Sequence, residues 1–297
     1  RRLLLIEREK EEQNDRTWCF WETSPGPFED VVCRRWSKAW FHAEGFSSLL
    51  DLSPYTYKMI RGQDYYRYCL DMLEANPAVD LLYAPVEKIQ QLEDQAEVIA
   101  GGSAYRAKYL FNSILFESPQ PVPGKHYLLQ HFKGWIIETE DSRFRPDEPT
   151  LMDFRPPQPE GTTFVYVMPF TENRALVEYT LFSPALLDMA AYDEGLKTYL
   201  DRYLGVRQYR IVEEEFGVIP MTNHKFPKSE GNIVYIGTAG GQTKASSGYT
   251  FRFIQKHSAA LAESIRRKGH PFDLPAVMGG RFYWYDSVLL NILHHRT

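Results

Sequence analysis

The sequence predicts a mixed α/β fold whose domains interleave along the chain, and three observations lead there. Leu3-Leu4-Leu5-Ile6 is a short continuous apolar run ending in Glu7, the pattern of a buried parallel strand. Near the other end, the apolar run 232–236 enters Gly237-Thr238-Ala239-Gly240-Gly241, and a helical pattern follows over 249–267. Between them the chain reads mostly as strands, with a hairpin pattern at 162–168 and 174–182. Parallel-strand signals at both ends of an antiparallel middle indicate one domain interrupted by another.

The remaining elements follow in order. Residues 14–57 read as irregular, with Trp18, Phe20, Trp21, Trp36, Trp40 and Phe41 scattered among prolines and charges. From Met59 to Leu73 apolar residues fall at helical spacing. Residues 79–83, 86–92, 96–100 and 104–110 read as short strands broken by turn chemistry such as Gly101-Gly102, and 109–116 is another compact apolar run. Leu151-Met152-Asp153-Phe154 is strand-like, and 185–204 reads as a helix. Neither an internal repeat nor a low-complexity tract is present.

Composition narrows the function classes. The 297 residues amount to roughly two domains. With 43% hydrophobic and 25% charged residues the chain is expected to be ordered. A net charge of −5 without a basic cluster leaves no footprint for nucleic acid. No apolar run is long enough for a membrane-spanning helix, and nothing resembles a signal peptide. Cys19, Cys33 and Cys69 have no CxxC spacing, which suggests a reducing, cytoplasmic compartment and no structural metal. The histidines, for example His126, His131, His224 and His257, lack HxxxH or HExxH spacing, so no metal is expected. The aromatic share of 14% suits either an aromatic core or a pocket for a large flat or polyunsaturated ligand. The chain opens on Arg1-Arg2 without Met and closes in an apolar run, as a piece trimmed at both ends would.

Two segments have the chemistry of a nucleotide site. An acid ending the second strand of a dinucleotide-binding unit accepts hydrogen bonds from ribose hydroxyls, about 20 residues after a glycine-rich loop. Glu7 suits that role, although the loop would fall before residue 1 and an ordinary strand-end acid reads the same way. The strand–glycine–helix unit at 232–267 lets a ligand approach backbone N–H groups closely, though glycine also serves packing alone. It lacks the GxxxxGK(S/T) pattern of a P-loop, which argues against an ATPase. Ser246 and Ser247 lack a nucleophile-elbow context, which argues against a hydrolase triad.

Four blocks carry a family resemblance. Residues 14–22 (Asn-Asp-Arg-Thr-Trp-Cys-Phe-Trp-Glu), 150–155 (Thr-Leu-Met-Asp-Phe-Arg) and 168–178 (Met-Pro-Phe-Thr-Glu-Asn-Arg-Ala-Leu-Val-Glu) resemble signatures of bacterial lycopene cyclases. Gly237-Thr238-Ala239-Gly240-Gly241 followed by Ser247-Gly248-Tyr249 is similar to that family's late flavin-contacting segment. The blocks occur in family order across nearly the whole chain.

The resemblance implies a discontinuous, Rossmann-like FAD-binding domain with an inserted, largely antiparallel substrate domain, as in the hydroxylase and geranylgeranyl-reductase flavoproteins. Residues 1–13, 58–116 and 210–268 would form the FAD domain and 14–57 with 117–209 the substrate domain, leaving 269–297 as a C-terminal helical segment. It implies redox-neutral cyclisation of the linear ends of lycopene to β-ionone rings, supported by reduced FAD with NAD(P)H as reductant. Expected cofactor contacts are Glu7, Arg61, Gly237, Thr238, Ala239, Gly240, Gly241, Gly248 and Tyr249. An arginine on the surface of the helix is the plain alternative for Arg61. Thr238 stands where related flavoproteins often have Asp.

Ring closure through a tertiary carbocation needs an acid at a double bond, electron-rich walls and exclusion of water. A carboxyl still protonated at neutral pH must have its pKa raised by burial. Glu178 is the first candidate, at the position matching the family's essential carboxylate; by its strand position alone it could equally face solvent. Asp153 is the second, with a structural salt bridge to an arginine as the alternative. Glu172 falls in the hairpin loop and is expected to be solvated. Trp18, Trp21, Trp36 and Trp40 could wall a polyene tunnel or pack a core. The substrate's insolubility implies peripheral docking on a bilayer, through the stretch 36–46 or the helix 286–294. Two other readings stay open: a monooxygenase or prenyl reductase on the same scaffold, distinguished by product mass, and a carotenoid-binding protein without catalysis.

Overall fold

The computed structural model describes residues 2–295 apart from 11–13, 15, 118–121, 123 and 275–279. Its centre is a seven-stranded sheet in the order Arg210–Thr222, Tyr127–Glu138, Arg174–Ser183, Thr162–Thr171, Thr150–Asp153, Lys38–Ala43 and Phe46–Asp51. Every neighbouring pair is antiparallel except Thr150–Asp153 with Lys38–Ala43. The expected hairpin is present, with Tyr166 opposite Glu178.

The two faces of this sheet are covered differently. Ala175 and Val177 point to one face, where the helix Met189–Leu204 packs through Leu196, Tyr199 and Leu200. That helix stops at Gly205, whose φ of +65° suits glycine at a C-terminal cap. Leu176 points to the other face and joins a core with Trp36, Tyr57 and Met59. Those residues come from a small sheet of Thr17–Glu22, Thr56–Arg61 and Arg34–Trp36.

The parallel pairs lie at the other end of the molecule. Leu3–Glu7 pairs with Val79–Tyr83, and Leu110–Asn112 pairs with Ile233–Tyr235. The helix Phe251–Lys268 follows the glycine-rich segment. Its first turn is tied to the small sheet by Arg252, which bonds Glu22, itself buried against Lys58 at 2.9 Å.

Several expectations shift. Leu3–Glu7 is parallel as expected, but among the described residues it has one neighbouring strand, and Leu3, Leu4 and Leu5 are exposed. Residues 14–57 are not irregular: their aromatics build strands, and Trp36 is buried at 2% exposure. The helix expected from Met59 starts at Gly62, because Met59 and Ile60 are fully buried in pairing with Cys19 and Trp18. Helix 185–204 begins at Met189. The expected division at 210 cuts the large sheet, since Arg210–Thr222 is paired along its length with Tyr127–Glu138.

Candidate active site

Glu178 and Glu215 meet above a glycine. Both lie opposite Gly134, which occupies the strand between theirs. A Cβ on Gly134 would come within 2.9 Å of Glu215 Cγ and of Leu176 Cδ1, so the missing side chain is what lets the two acids lean together. The carboxyls share a hydrogen bond. Thr180 Oγ1 donates to Glu178 Oε1 at 2.9 Å, and Thr17 Oγ1 donates to Glu215 Oε2 at 2.8 Å.

Burial pushes the Glu178 carboxyl well above the usual carboxylate range, and the neighbouring Glu215 pushes it further; only Thr180 opposes them. Glu178 nevertheless keeps some accessible surface. The pair therefore keeps a proton to a higher pH than a solvated carboxyl does.

The surroundings are aromatic. Thr17, Cys19 and Trp21 share one face of their strand. Trp21 packs on Tyr57 with ring centroids 4.5 Å apart, and the hydroxyls of Tyr57 and Tyr249 are 3.4 Å apart. Tyr166 stands opposite Glu178, and burial raises its phenol pKa, as it does those of Tyr57 and Tyr249. Burial also holds the Cys19 thiol protonated, with both glutamates adding to the effect. Of the tryptophans singled out in the sequence, Trp21 and Trp36 belong to this cluster. Trp18 packs on Phe251, and Trp40 Nε1 bonds Glu148.

Asp153 is elsewhere. It stands opposite Val165, on the face covered by the helix Met189–Leu204. Its fully buried carboxyl accepts hydrogen bonds from Arg155 Nε at 2.8 Å, the Arg155 backbone N–H at 3.0 Å and Tyr199 OH at 2.8 Å. Burial alone would raise its pKa, but the bonds from Arg155 and Tyr199 outweigh that and lower it. An ionised carboxylate on the far face of the sheet cannot hand a proton to a ligand beside Glu178.

Glu215 was absent from the residues singled out in the sequence, yet a signal exists. Within Arg210–Thr222, Glu214, Phe216 and Val218 are exposed, while Glu213, Glu215, Gly217, Ile219 and Met221 alternate inward. An acid in register with an inward Met221 is a cavity candidate. The run of three glutamates hides it as a charged patch.

The glycine-rich segment joins the aromatic cluster through Tyr249. Gly237, Gly241 and Gly248 have φ of +57°, +74° and +68°. A Cβ on Gly240 would strike Tyr235 O, and one on Gly248 would strike Gln130 Oε1. Thr238 Oγ1 lies 3.5 Å from Thr243 Oγ1, and Ala239 is buried. Gln242 Oε1 and Ser247 Oγ are buried without a partner. Close backbone and orphaned polar atoms of this kind suit a polar, flat ligand such as a flavin. Asp286 braces the segment from the helix Gly280–His295: it bonds Lys244 and accepts from Ser246 Oγ at 2.6 Å.

Arg61 pairs with Glu213, two residues before Glu215, with Nη2 on both carboxyl oxygens at 2.9 and 2.7 Å and its Nε buried without a partner. Glu7 Oε1 accepts from the Arg8 backbone N–H at 2.8 Å. Among the described residues no hydrogen bond or ion pair joins Glu7 to 237–241. A cavity of about 900 Å³ borders the glycine segment, lined by Gly240, Gln242, Phe253, His257 and Tyr283, and neither carboxyl of the pair lines it. Among the described residues no cluster of His, Cys, Asp and Glu is suited to a metal.

The profile of the lycopene cyclase protein family matches residues 2–287. The chain belongs to that family. The relatives it matches include neoxanthin synthase of Solanum tuberosum, 28% identical over 61% of this chain and 39% of that protein. Lycopene beta cyclase of Narcissus pseudonarcissus is 33% identical over 44% of this chain and 28% of its own length. The matched segments thus span well under half of these relatives. Among solved structures, a geranylgeranyl bacteriochlorophyll reductase-like protein of Thermoplasma acidophilum aligns with a TM-score of 0.64 at 11% identity, over 98% of this chain and 77% of that one. Klebsiella pneumoniae HpxO, solved with FAD and uric acid, aligns with a TM-score of 0.59 at 15% identity, over 98% and 82% of the two chains. At such identities these two establish the fold, a mixed α/β scaffold shared with flavoproteins, as the sequence predicts.

Proposed function

We propose that this cyclase chain closes the linear ends of lycopene to β-ionone rings without net redox change, with Glu178 as the proton donor. One observation supports the reading: Glu178, with Tyr166 opposite it and Glu215 across Gly134, is raised well above the usual carboxylate range by burial and by that second carboxyl. Glu178 gives its proton to the terminal double bond, and Tyr57, Tyr166, Trp21 and Tyr249 face the cation that follows. Each aromatic face lowers the energy of a desolvated cation by about 2 kcal/mol. Their packing also keeps out water, which would trap the cation as an alcohol.

Gly237, Thr238, Ala239, Gly240, Gly241, Gly248 and Tyr249 would hold FAD, with Arg61 on its acid-pair side and Glu7 at the ribose. Bound and reduced at the expense of NAD(P)H, the flavin supplies an electron-rich ring that stabilises positive charge. Free thiols at Cys19, Cys33 and Cys69 support a reducing, cytoplasmic setting. No described helix is long and apolar enough to cross a membrane. Peripheral docking would use the helix Gly280–His295, which exposes Phe282, Trp284, Tyr285 and Ile292. The stretch 36–46 is the poorer candidate because Trp36 and Ala39 are buried.

The test is the pigment made by a lycopene-accumulating host that expresses the full-length protein. Cyclic carotenes of unchanged mass are expected, and Glu178→Gln should leave lycopene uncyclised. A product heavier by oxygen or hydrogen would instead indicate redox chemistry on the same scaffold. Unaltered lycopene with the wild-type protein would reject the reading.

A further inference from the structure

We propose that Glu215 is a positioning residue for the cyclisation, sharing with Glu178 the single proton that the reaction lends to the substrate and takes back. This rests on Glu178 as the acid and extends it to the second carboxyl of the pair. The geometry is specific. Both acids flank Gly134 in register, they bond each other, and each accepts from a hydroxyl, Thr180 for Glu178 and Thr17 for Glu215. Glu215 is 5% exposed, so its charge is poorly screened by water.

Two carboxyls this close cannot both ionise cheaply, so one proton stays with the pair at neutral pH. Each carboxyl accepts one of these threonine hydroxyls, and it is burial together with the adjacent Glu215 that favours the protonated form of Glu178. Other titratable groups nearby are the Cys19 thiol and the phenols of Tyr57, Tyr166 and Tyr249, all raised and neutral at pH 7. The neighbouring cations, Arg61 and Arg174, are paired with Glu213. Neither is among the groups that shift Glu178.

The cycle balances without an oxidant or reductant. The π pair of the terminal alkene forms a C–H bond with the Glu178 proton, leaving a tertiary cation and a doubly ionised pair. A second double bond attacks the cation and closes the ring. A proton then leaves the carbon beside the new cation, its C–H pair becomes the ring double bond, and the pair regains one proton. Repulsion between two ionised carboxylates favours that last step. Glu215 thus acts through Glu178: it keeps the acid loaded and makes its conjugate base stronger.

The decisive variant is Glu215→Gln, which keeps the shape and removes the like charge. The full-length protein is titrated by infrared spectroscopy, following the C=O stretch of the protonated buried carboxyl, and its cyclisation rate is measured against pH. The carboxyl band should lose protons at a lower pH, by about one unit or more, and the alkaline limb of the rate profile should fall by the same amount. Glu215→Asp, which withdraws the charge by one bond, should move both in the same direction by less and serves if the first variant does not fold. Glu178→Gln should abolish the band. If the band and limb stay in place in both Glu215 variants, Glu215 plays no part. A band that shifts while Glu178→Gln still cyclises lycopene would leave the shared proton intact but overturn Glu178 as the acid.

Discussion

Tyr199 donates a 2.8 Å hydrogen bond to Asp153 and so pins the helix Met189–Leu204 to the outer face of the central sheet. The acid is fully buried, and its other partner, Arg155, is near in sequence. Asp153 is an anchor between sheet and helix, and it is held ionised.

Asp153→Asn should therefore destabilise the protein, by about 2–4 kcal/mol, since it removes the charged partner of Arg155 and weakens two bonds. Tyr199→Phe should cost less, about 1–2 kcal/mol. Urea denaturation measures both, and cyclisation per folded molecule should be unchanged. The sign of the pH dependence follows from the lowered pKa of Asp153. Its contribution is complete above the unfolded-state pKa and is lost as pH falls through the folded one. Asp153→Asn should thus lose its disadvantage in acid. An inactive but fully stable Asp153→Asn protein would contradict this role.

Glu178 predicts the opposite trend. Its pKa is raised on folding, so from about pH 4.5 up to the folded value the native state binds more protons than the unfolded chain. Stability falls across that window as pH rises. Glu178→Gln should remove much of the decline and be the more stable protein at alkaline pH, while its cyclisation rate drops by about 10²–10⁴. Thermal unfolding between pH 5 and 9 reads the first effect. Parallel curves for the two proteins would mean that Glu178 is not held protonated.

These two acids also show what the sequence makes legible. Each lies in a strand whose existence is readable from its apolar neighbours, and the hairpin of Glu178 and the limits of Val79–Tyr83 are clear from local pattern. Which face an acid takes is not local. Asp153 and Glu178 look alike in sequence, and the register to Val165 or to Gly134 separates them. The two longest strands escape the same reading. Tyr127–Glu138 is central, with neighbours on both edges and packing on both faces, so it lacks alternation and carries Gln130, His131 and Lys133 inside it. Arg210–Thr222 alternates well, but its glutamates disguise the buried position of Glu215. The aromatics of 14–57 look irregular because their strands pair with partners far along the chain, such as Trp40 with Thr150.

Gly248 is where backbone conformation and packing both require glycine. Its φ is +68°, and an added methyl group would strike the Gln130 amide. Gly248→Ala should cost about 1–2 kcal/mol in backbone strain and displace the adjoining Tyr249. Flavin retention after gel filtration of the full-length protein, read from its visible absorbance, should fall sharply. Full retention in the variant would separate the 237–249 segment from the cofactor.

Membrane docking gives the last prediction, and the helix Gly280–His295 is built so that it can be tested cleanly. Its inner side is committed to the fold: Leu290 is fully buried, Asp286 braces Lys244 and Ser246, and Tyr283 bonds the Asn223 carbonyl. Its outer side shows Phe282 at 44%, Trp284 at 61% and Tyr285 at 54% exposure, side chains that favour the interface of a bilayer. Changing Phe282, Trp284 and Tyr285 to Ser leaves the inner contacts in place, so the fold and the glycine segment should survive. Burying even one such ring is worth about 1.5–3 kcal/mol. The triple variant of the full-length protein should therefore bind phosphatidylcholine vesicles at least about tenfold more weakly in a flotation assay. Its cyclisation of detergent-solubilised lycopene should be kept, while turnover of lycopene in vesicles should fall. Equal vesicle binding by the variant and the wild type would remove this helix as the docking surface.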